Sequence, residues 1–249
     1  MKFLAIGFVL TLASSAAAQL QSYTVSVVPG FNGIANHLDN GPNTLDRVLP
    51  SVPNGTELFK FDALTQGYQQ AQYLDGQWSS SDPFMQTLSP GEGAFLRTDT
   101  AFSLTFRGST HVPQIRRDTA AGYNLVSCQT TQRCSFEELF GFPPVPGDRV
   151  YKLRQPLPQP SDNPEDIASS IHRYSANGWD SVPSFDPGRS AFVYLTGTLR
   201  IVDEPDDQTV LAGASVQMFV YAIGDSPLSY QWRLNNQPLL GQTGSTLTF

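Results

Sequence analysis

The chain has 249 residues, enough for two or three small domains, with a formal net charge of −7 and only 15% charged residues. Its 20 glycines and 19 prolines favour short strands joined by many turns. The acidic balance argues against a nucleic-acid partner, because the densest basic spot is the pair Arg116–Arg117 and no basic stripe could displace counterions from phosphates.

Residues 1–18 are predicted to be a secretory signal peptide. Lys2 precedes an apolar run from Phe3 to Leu12, and small residues lead to Ala18, after which we expect cleavage. The run is too short to span a bilayer comfortably, and no later stretch is apolar enough for a membrane helix. A buried N-terminal strand or helix is the alternative interpretation. We therefore expect a secreted or cell-surface protein without a membrane span.

One stretch of the chain is used twice. GFNGIANHLDN begins at Gly30 and GYNLVSCQTTQ begins at Gly122. Three pairs in and after these phrases recur at one constant offset: Asn32 with Asn124, Gly55 with Gly147, and Lys60 with Lys152. A shared offset at several points indicates a module copied in tandem. We predict two β-rich modules, residues 23–110 and 113–199.

Within each module the pattern predicts strands and one short helix. Strands are expected at Tyr23–Val28, Thr56–Phe61 and Arg149–Leu153, which are rich in β-branched and aromatic residues. In the first copy Asn43 or Thr44 can cap a helix that ends near Leu49. In the second copy Ser135 and Glu138 form a capping-box pattern, which predicts a helix over SFEELF.

Two further phrases recur later in the modules. Gly76-Gln77-Trp78 matches Asn177-Gly178-Trp179, and PGEGAFL from Pro90 matches PGRSAFV from Pro187. Their offsets differ, and the Pro-rich segment Leu157–Ser170 is predicted to be an inserted mobile loop. The paired phrases resemble a β-rich module common in secreted bacterial proteins. That resemblance covers Tyr23–Leu199 and implies no activity.

The only cysteines are Cys128 and Cys134. Secretion would place them in an oxidising compartment, so we predict a disulfide that closes a short loop in the second copy. Two buried free thiols are the alternative. A zinc site is disfavoured, because two thiolates without a nearby histidine pair leave the tetrahedron incomplete.

Residues 201–249 differ in character from the two modules. The sequence TVLAGASVQMFVYAIGDSPLSYQWRLNNQ resembles a bacterial immunoglobulin-like domain, with a G-x-S-V strand followed by P-L-S-Y-Q-W and an Asn-Asn turn. The resemblance places Trp232 at the core-tryptophan position and Val220 where many relatives carry the first cysteine of the intersheet disulfide. Because such a sandwich needs ~100 residues, we expect only its N-terminal half here. The overall expectation is a mainly β protein that ends in a partial immunoglobulin-like sandwich.

Trp78 and Trp179 occupy matching places, with tyrosines nearby. Flat aromatic rings flanked by amides and carboxylates can bind sugars, so carbohydrate recognition is one interpretation. The other is that both tryptophans fill the cores of the two modules, as duplication alone would produce.

No catalytic constellation is visible. The histidines are His37, His111 and His172, none of which has metal-ligand spacing, and the chain lacks a G-x-S-x-G motif. Calcium is considered for the acidic runs Asp203–Asp207 and Asp39–Asp46, but neither has the glycine placement and closing glutamate of a calcium loop. We expect no cofactor and favour solvated acidic linkers.

These patterns predict a non-catalytic secreted or cell-surface protein with a role in adhesion, envelope structure or protein–protein interaction. The alternative is a carbohydrate-binding protein that uses Trp78 and Trp179, with an enzyme domain beyond Phe249 also compatible with the sequence. The expected partner is a protein or a polysaccharide at the cell surface.

Overall fold

The structure, a computed structural model, describes residues 20–110, 119–161, 163–211 and 213–248. It is mainly β, as expected, with antiparallel sheets and few short helices. The predicted signal peptide, His111 and the pair Arg116–Arg117 lie outside the described residues. Within the described ranges, no helix is both long enough and apolar enough to cross a membrane.

The first copy forms one five-stranded sheet and one three-stranded sheet. Its elements are β1 (Leu20–Val27), β2 (Gly30–Ala35), β3 (Leu38–Asp39), α1 (Leu45–Val48), β4 (Glu57–Asp62), β5 (Gly67–Leu74), β6 (Gln77–Ser79), a 3-10 helix (Pro83–Gln86), β7 (Gly93–Thr98) and β8 (Phe102–Thr110). The larger sheet has the order β2-β7-β4-β5-β6, and β8 lies between β1 and β3 in the smaller one.

The second copy repeats the larger sheet. Its elements are β9 (Gly122–Val126), α2 (Phe136–Phe140), β10 (Arg149–Leu153), α3 (Pro164–Ile167), β11 (Ala168–Ser175), β12 (Gly178–Trp179), β13 (Ala191–Leu195) and β14 (Arg200–Asp203). Its sheet order, β9-β13-β10-β11-β12, corresponds strand for strand to that of the first copy. The second copy has two short α-helices where one was expected.

The repeated glycine–aromatic–asparagine phrase builds the same turn twice. The Asn32 side chain donates to the backbone C=O of Val28 at 2.8 Å and of Gly30 at 3.1 Å. The Asn124 side chain makes the matching bonds to Ala120 at 2.9 Å and Gly122 at 3.1 Å. Both glycines have a positive φ, 96° and 97°, which residues with a Cβ rarely adopt. The motif is therefore explained by turn geometry.

Helix capping follows the sequence in one copy more closely than in the other. The predicted capping box is confirmed: the Glu138 N–H donates to Ser135 Oγ, and the Ser135 N–H donates to the Glu138 carboxylate. In the first copy Thr44 is the N-cap residue but its side chain makes no capping hydrogen bond. The helix α1 therefore depends on burial of Leu45 and Val48 rather than on a side-chain cap.

The two five-stranded sheets pack face to face through a mixed aromatic core. Phe95 and Phe192, at equivalent positions in β7 and β13, are fully buried with ring centroids 6.1 Å apart. Phe61 of the first copy contacts Phe192 edge-on at 5.1 Å. Burial of large aromatic rings provides much of the driving force for this contact. The two copies thus share one core cluster as the halves of a sandwich.

Two glycines of the first copy allow the sheets to approach closely. A Cβ at Gly93 would lie 2.7 Å from Ser190 Cβ and 3.1 Å from Leu125 Cγ, and a Cβ at Gly33 would lie 2.9 Å from Ser190 Oγ. The second copy carries Leu125 and Ser190 at the two equivalent positions. The interface is therefore asymmetric, with glycines on one side and side chains on the other.

The inserted segment Leu157–Ser170, predicted to be a mobile loop, contributes to this interface instead. Leu157 and Ile167 are buried in the shared core. The Leu157 N–H also donates to the C=O of Phe31 in the first copy at 3.3 Å. The composition suggested a loop because proline and acidic residues surround these two apolar anchors.

Each sheet has a second core on its other face. In the first copy this core includes Ile34, Leu49 and Leu96, against which Trp78 packs. In the second copy it includes Phe136, Phe140 and Val193, against which Trp179 packs. The helices α1 and α2 thus cover the outer faces, while the aromatic core joins the inner ones.

The predicted disulfide between Cys128 and Cys134 is confirmed. It closes a loop directly before α2, and Cys128 is completely buried in the core of the second copy. The C=O and N–H of Cys134 pair with the backbone of Phe185, which anchors the closed loop to the module. The alternative of two free thiols is therefore wrong.

The C-terminal segment contains short strands, β15 (Gln217–Phe219), β16 (Tyr221–Ile223), β17 (Arg233–Leu234), β18 (Gln237–Pro238) and β19 (Thr246–Thr248). The β16 strand pairs with β14, much as β1 pairs with β8 in the first copy. Val202 and Ile223 are buried in the second copy's core. The predicted Asn-Asn turn is confirmed, since Asn235 and Asn236 both have positive φ between β17 and β18.

Candidate functional site

A cleft of about 440 Å³ lies where the two copies meet. We call it the inter-module cleft. Its lining includes Tyr23 and His37 from the first copy and Thr131, Gln155, Gly188 and Arg189 from the second. The lining combines polar side chains from both copies, which only the packing of the two sheets brings together.

His37 lies at the base of this cleft and is 2% exposed. Its Nδ1 accepts a hydrogen bond from the backbone N–H of Gly188 at 3.1 Å, so the neutral ring carries its proton on Nε2. Burial lowers the pKa of His37 to about 4. At neutral pH the imidazole is therefore uncharged and joins the two copies through its acceptor nitrogen.

Tyr23 covers the His37 ring. The two rings stack with centroids 3.7 Å apart, and the Tyr23 hydroxyl donates to the C=O of Ala35 at 2.6 Å. Burial raises the pKa of the Tyr23 phenol well above its ordinary value, with a smaller lowering by a hydrogen bond from the His37 backbone. Both aromatic groups are thus held in place by structural contacts, and neither is arranged as an activated nucleophile or base.

A smaller basin of about 260 Å³ adjoins the cleft and shares Gln155 and Arg189 with it. Lys152 and Asp186 form an ion pair of 3.0 Å in this basin. Arg133, on the disulfide-closed loop, lies 2.7 Å from the other oxygen of Asp186. Burial alone would raise the pKa of Asp186, but the hydrogen bond and charge of Lys152, together with Arg133, hold it below its usual range. The carboxylate is therefore ionised between two cations.

The equivalent position in the first copy forms a closed structural site. Lys60 is 2% exposed and its Nζ donates to the C=O of Phe84 at 2.6 Å and of Thr87 at 2.9 Å. Glu92 completes the site with an ion pair of 3.2 Å. The cavity beside it measures only about 120 Å³. The duplicated lysine is thus a buried structural cation in this copy.

We expect replacement of Lys60 by Met to cost more stability than the matched replacement of Lys152. Lys60→Met leaves two carbonyls and the Glu92 carboxylate without their buried donor, at a cost of about 3 kcal/mol. Lys152 is 23% exposed, so water can replace its donor, and Lys152→Met should cost about 1 kcal/mol. Urea unfolding of the two variants measures the difference. Equal losses would contradict this ranking.

The structure places Trp78 and Trp179 in contact with the outer cores. Both are half-buried. The Trp78 indole N–H donates to the C=O of Leu49 at 3.2 Å, and Trp179 contacts Phe136 at 5.7 Å. Trp78 also lines a shallow cleft of about 210 Å³. The two tryptophans are not part of the inter-module cleft, as its lining shows.

Val220 and Trp232 lie in the C-terminal segment and are both half-buried. The Trp232 indole N–H donates to the C=O of Gly244 at 2.8 Å, and its backbone C=O accepts from Leu239 at 2.9 Å. The Val220 N–H donates to Ser245 at 2.9 Å. These contacts are local to the segment, and the immunoglobulin-like assignment stays a prediction.

The considered calcium ligands make internal hydrogen bonds or face solvent. Asp39 accepts from the Gly41 N–H and from the Asn43 side chain, both at 2.9 Å, which stabilises its own loop. In the ranges that the structure describes, no three His, Cys, Asp or Glu side chains are grouped as a metal site would require.

Sequence reasoning did not identify the polar lining of the inter-module cleft. The signal that could have found it lies in the last repeated phrase, where Glu92 and Gly93 of PGEGAFL are replaced by Arg189 and Ser190 in PGRSAFV. This change exchanges a carboxylate that neutralises the buried lysine for a guanidinium exposed at the cleft.

Comparison of the chain with family models, with curated proteins and with solved structures finds no match.

Proposed function

We propose that the chain is a non-catalytic secreted or cell-surface protein that acts in adhesion, envelope structure or protein–protein interaction, with the inter-module cleft as its binding site. The observation that carries this proposal is that the duplicated polar residues and the polar residues that differ between the copies make different contacts. The duplicated ones, such as Asn32 and Lys60, are used in internal hydrogen bonds. The ones that differ between the copies, such as Arg189, face the cleft.

The lack of an activated group in the cleft supports a binding role. His37 has its Nδ1 occupied by Gly188, and the Tyr23 hydroxyl is occupied by Ala35. A catalytic base needs a free acceptor within reach of a substrate proton, and a pKa of about 4 makes His37 a weak base at neutral pH. The geometry therefore favours recognition over reaction.

Carbohydrate recognition at Trp78 is the rival function. One observation favours it: the cleft beside Trp78 also has polar groups from Thr44, Asp46 and Gln86 in its lining. An aromatic face next to amide and carboxylate groups suits a sugar ring. The contacts of the Trp78 indole with the core and with Leu49 limit the ring face that it can offer.

Localisation and processing test the proposal. In the organism that makes it, the protein should begin at Gln19 and be found in the medium or on a protease-accessible surface. Mass spectrometry of the intact protein gives the first residue. Purified protein should also release no product from polysaccharides or peptides over many hours. A cytosolic protein that retains Met1, or steady turnover of any such substrate, would overturn the proposal.

A further inference from the structure

The inter-module cleft contains polar groups that have no partner within the protein. Arg189 and Gln155 are exposed, and neither side chain makes a hydrogen bond or ion pair with any described residue. The guanidinium and the amide are therefore free to bind a ligand in the cleft.

The charges around these groups favour an anion. Arg133 and Lys152 pair with the carboxylate of Asp186, and Arg189 lines the same basin, although the chain as a whole has a net charge of −7. Asp186 is neutralised by Arg133 and Lys152, which leaves the charge of Arg189 uncompensated. A planar guanidinium matches a carboxylate through two parallel hydrogen bonds.

The remaining lining favours hydroxyl groups on the same ligand. The side chains of Thr131 and Gln155, which line the cleft, each contain both a donor and an acceptor. Sugar hydroxyls also donate and accept, so they can satisfy both. A peptide that supplied the carboxylate would bring few hydroxyl groups to these side chains. The favoured occupant is therefore a carboxylated sugar.

We propose that the inter-module cleft binds a uronic acid residue of an acidic polysaccharide, with Arg189 on the carboxylate and Thr131 and Gln155 on the ring hydroxyls. This inference rests on the proposed function, because it names the ligand class of the same cleft. The first copy cannot form the same site, since it carries Glu92 at the position of Arg189.

Isothermal titration with a galacturonate trisaccharide tests the proposal. We expect the mature protein to bind the trisaccharide more weakly as salt increases, and to bind a neutral galactose trisaccharide at least tenfold more weakly. Arg189→Glu, which installs the residue of the first copy, and Arg189→Gln should each reduce affinity at least tenfold. The control is Arg107→Glu, which makes the same charge change on an exposed residue of β8 outside the cleft. It should bind as the parent does.

Further binding measurements distinguish other ligands and other binding sites. Free galacturonate should bind more weakly than the trisaccharide, whereas equal binding would assign the site to a small acid rather than to a polymer. The proposal would be overturned by equal binding of a glutamate-rich peptide or by no binding of the trisaccharide at all. It would also be overturned if Trp78→Ala lost binding and Arg189→Glu did not. Circular dichroism confirms that each variant is folded. A surface protein that fails to bind the trisaccharide would refute this inference and leave the proposed function standing.

Discussion

Replacing Asp148 by Ala is expected to lower the free energy of unfolding by about 3–5 kcal/mol. The Asp148 carboxylate is completely buried, and its two oxygens accept from one Arg200 nitrogen at 2.7 and 2.8 Å. It also accepts from the backbone N–H groups of Val145 and Thr196, each at 2.9 Å. Truncation leaves these two donors and a buried guanidinium without their acceptor.

The cost is large because Arg200 has few other contacts that could compensate. Its Nε and Nη1 atoms are already buried without a hydrogen-bond partner among the described residues, and its guanidinium lies 5.2 Å from the centre of the Phe142 ring. An unpaired buried charge is more costly than an absent pair. We therefore expect Arg200→Met, combined with Asp148→Thr, to recover most of the lost stability. Threonine is the residue of the first copy, Thr56, at the position of Asp148.

Urea unfolding of the parent, Asp148→Thr, Arg200→Met and the double variant that combines these two changes gives the coupling energy directly, and Asp148→Ala is measured beside them. A single variant Asp148→Ala within about 1 kcal/mol of the parent would show that the pair contributes little to stability. A double variant as unstable as Asp148→Ala would show that the loss arises from the backbone donors instead.

Acidification from pH 7 to pH 4 is expected to remove about 3 kcal/mol of stability through His37 alone. The folded pKa is about 4, and the unfolded pKa is 6.5. Between these values the unfolded chain binds more protons than the folded one, so stability is complete above about pH 6.5 and falls as the pH drops toward 4. The size follows from 1.36 kcal/mol per pKa unit.

The structure gives the reason for this sensitivity. A proton on Nδ1 would face the N–H of Gly188, so protonation breaks a contact between the two copies. The charged ring would also lie stacked on Tyr23 in a buried site, in a cleft that already contains Arg189. Loss of this contact should loosen the cleft before the aromatic core separates.

The His37→Gln variant isolates this effect, because the amide oxygen can accept from Gly188 but does not titrate. Urea unfolding at pH 7 and pH 4 should show a smaller loss for His37→Gln than for the parent, by about 3 kcal/mol. His172→Gln, which alters a half-buried histidine of β11, is the matched control and should keep the parent's acid dependence. An equal acid loss in His37→Gln and the parent would refute the assignment to His37.

The asymmetry between the copies explains how two copies of one scaffold form a single cleft with different residues on its two sides. At the position of Glu92 the second copy has Arg189, and Asp186 has become the partner of the repeated lysine. At the positions of Gly33 and Gly93 it has Leu125 and Ser190, which fill the space that the glycines leave. Because Asp186 pairs with Lys152, the Arg189 side chain is left to line the cleft, and the two sheets stay packed.

Much of the local structure could be predicted from the sequence, because short-range patterns determine it. The spacing of Ser135 and Glu138 predicted a capping box, the two cysteines predicted a disulfide, and β-branched and aromatic runs predicted strands such as Arg149–Leu153. Each of these depends on residues that are neighbours in the chain. The prediction for Leu157–Ser170 was wrong because burial of Leu157 depends on Phe31, far away in sequence.

The sequence by itself determined a mainly β chain with a repeated turn, a repeated lysine and one disulfide. Only the tertiary structure decided that the copies pack face to face, that His37 reaches Gly188, and that Gln155 and Arg189 line one cleft. The physical reason is that these contacts depend on how two aromatic sheet faces bury each other, which no local spacing encodes.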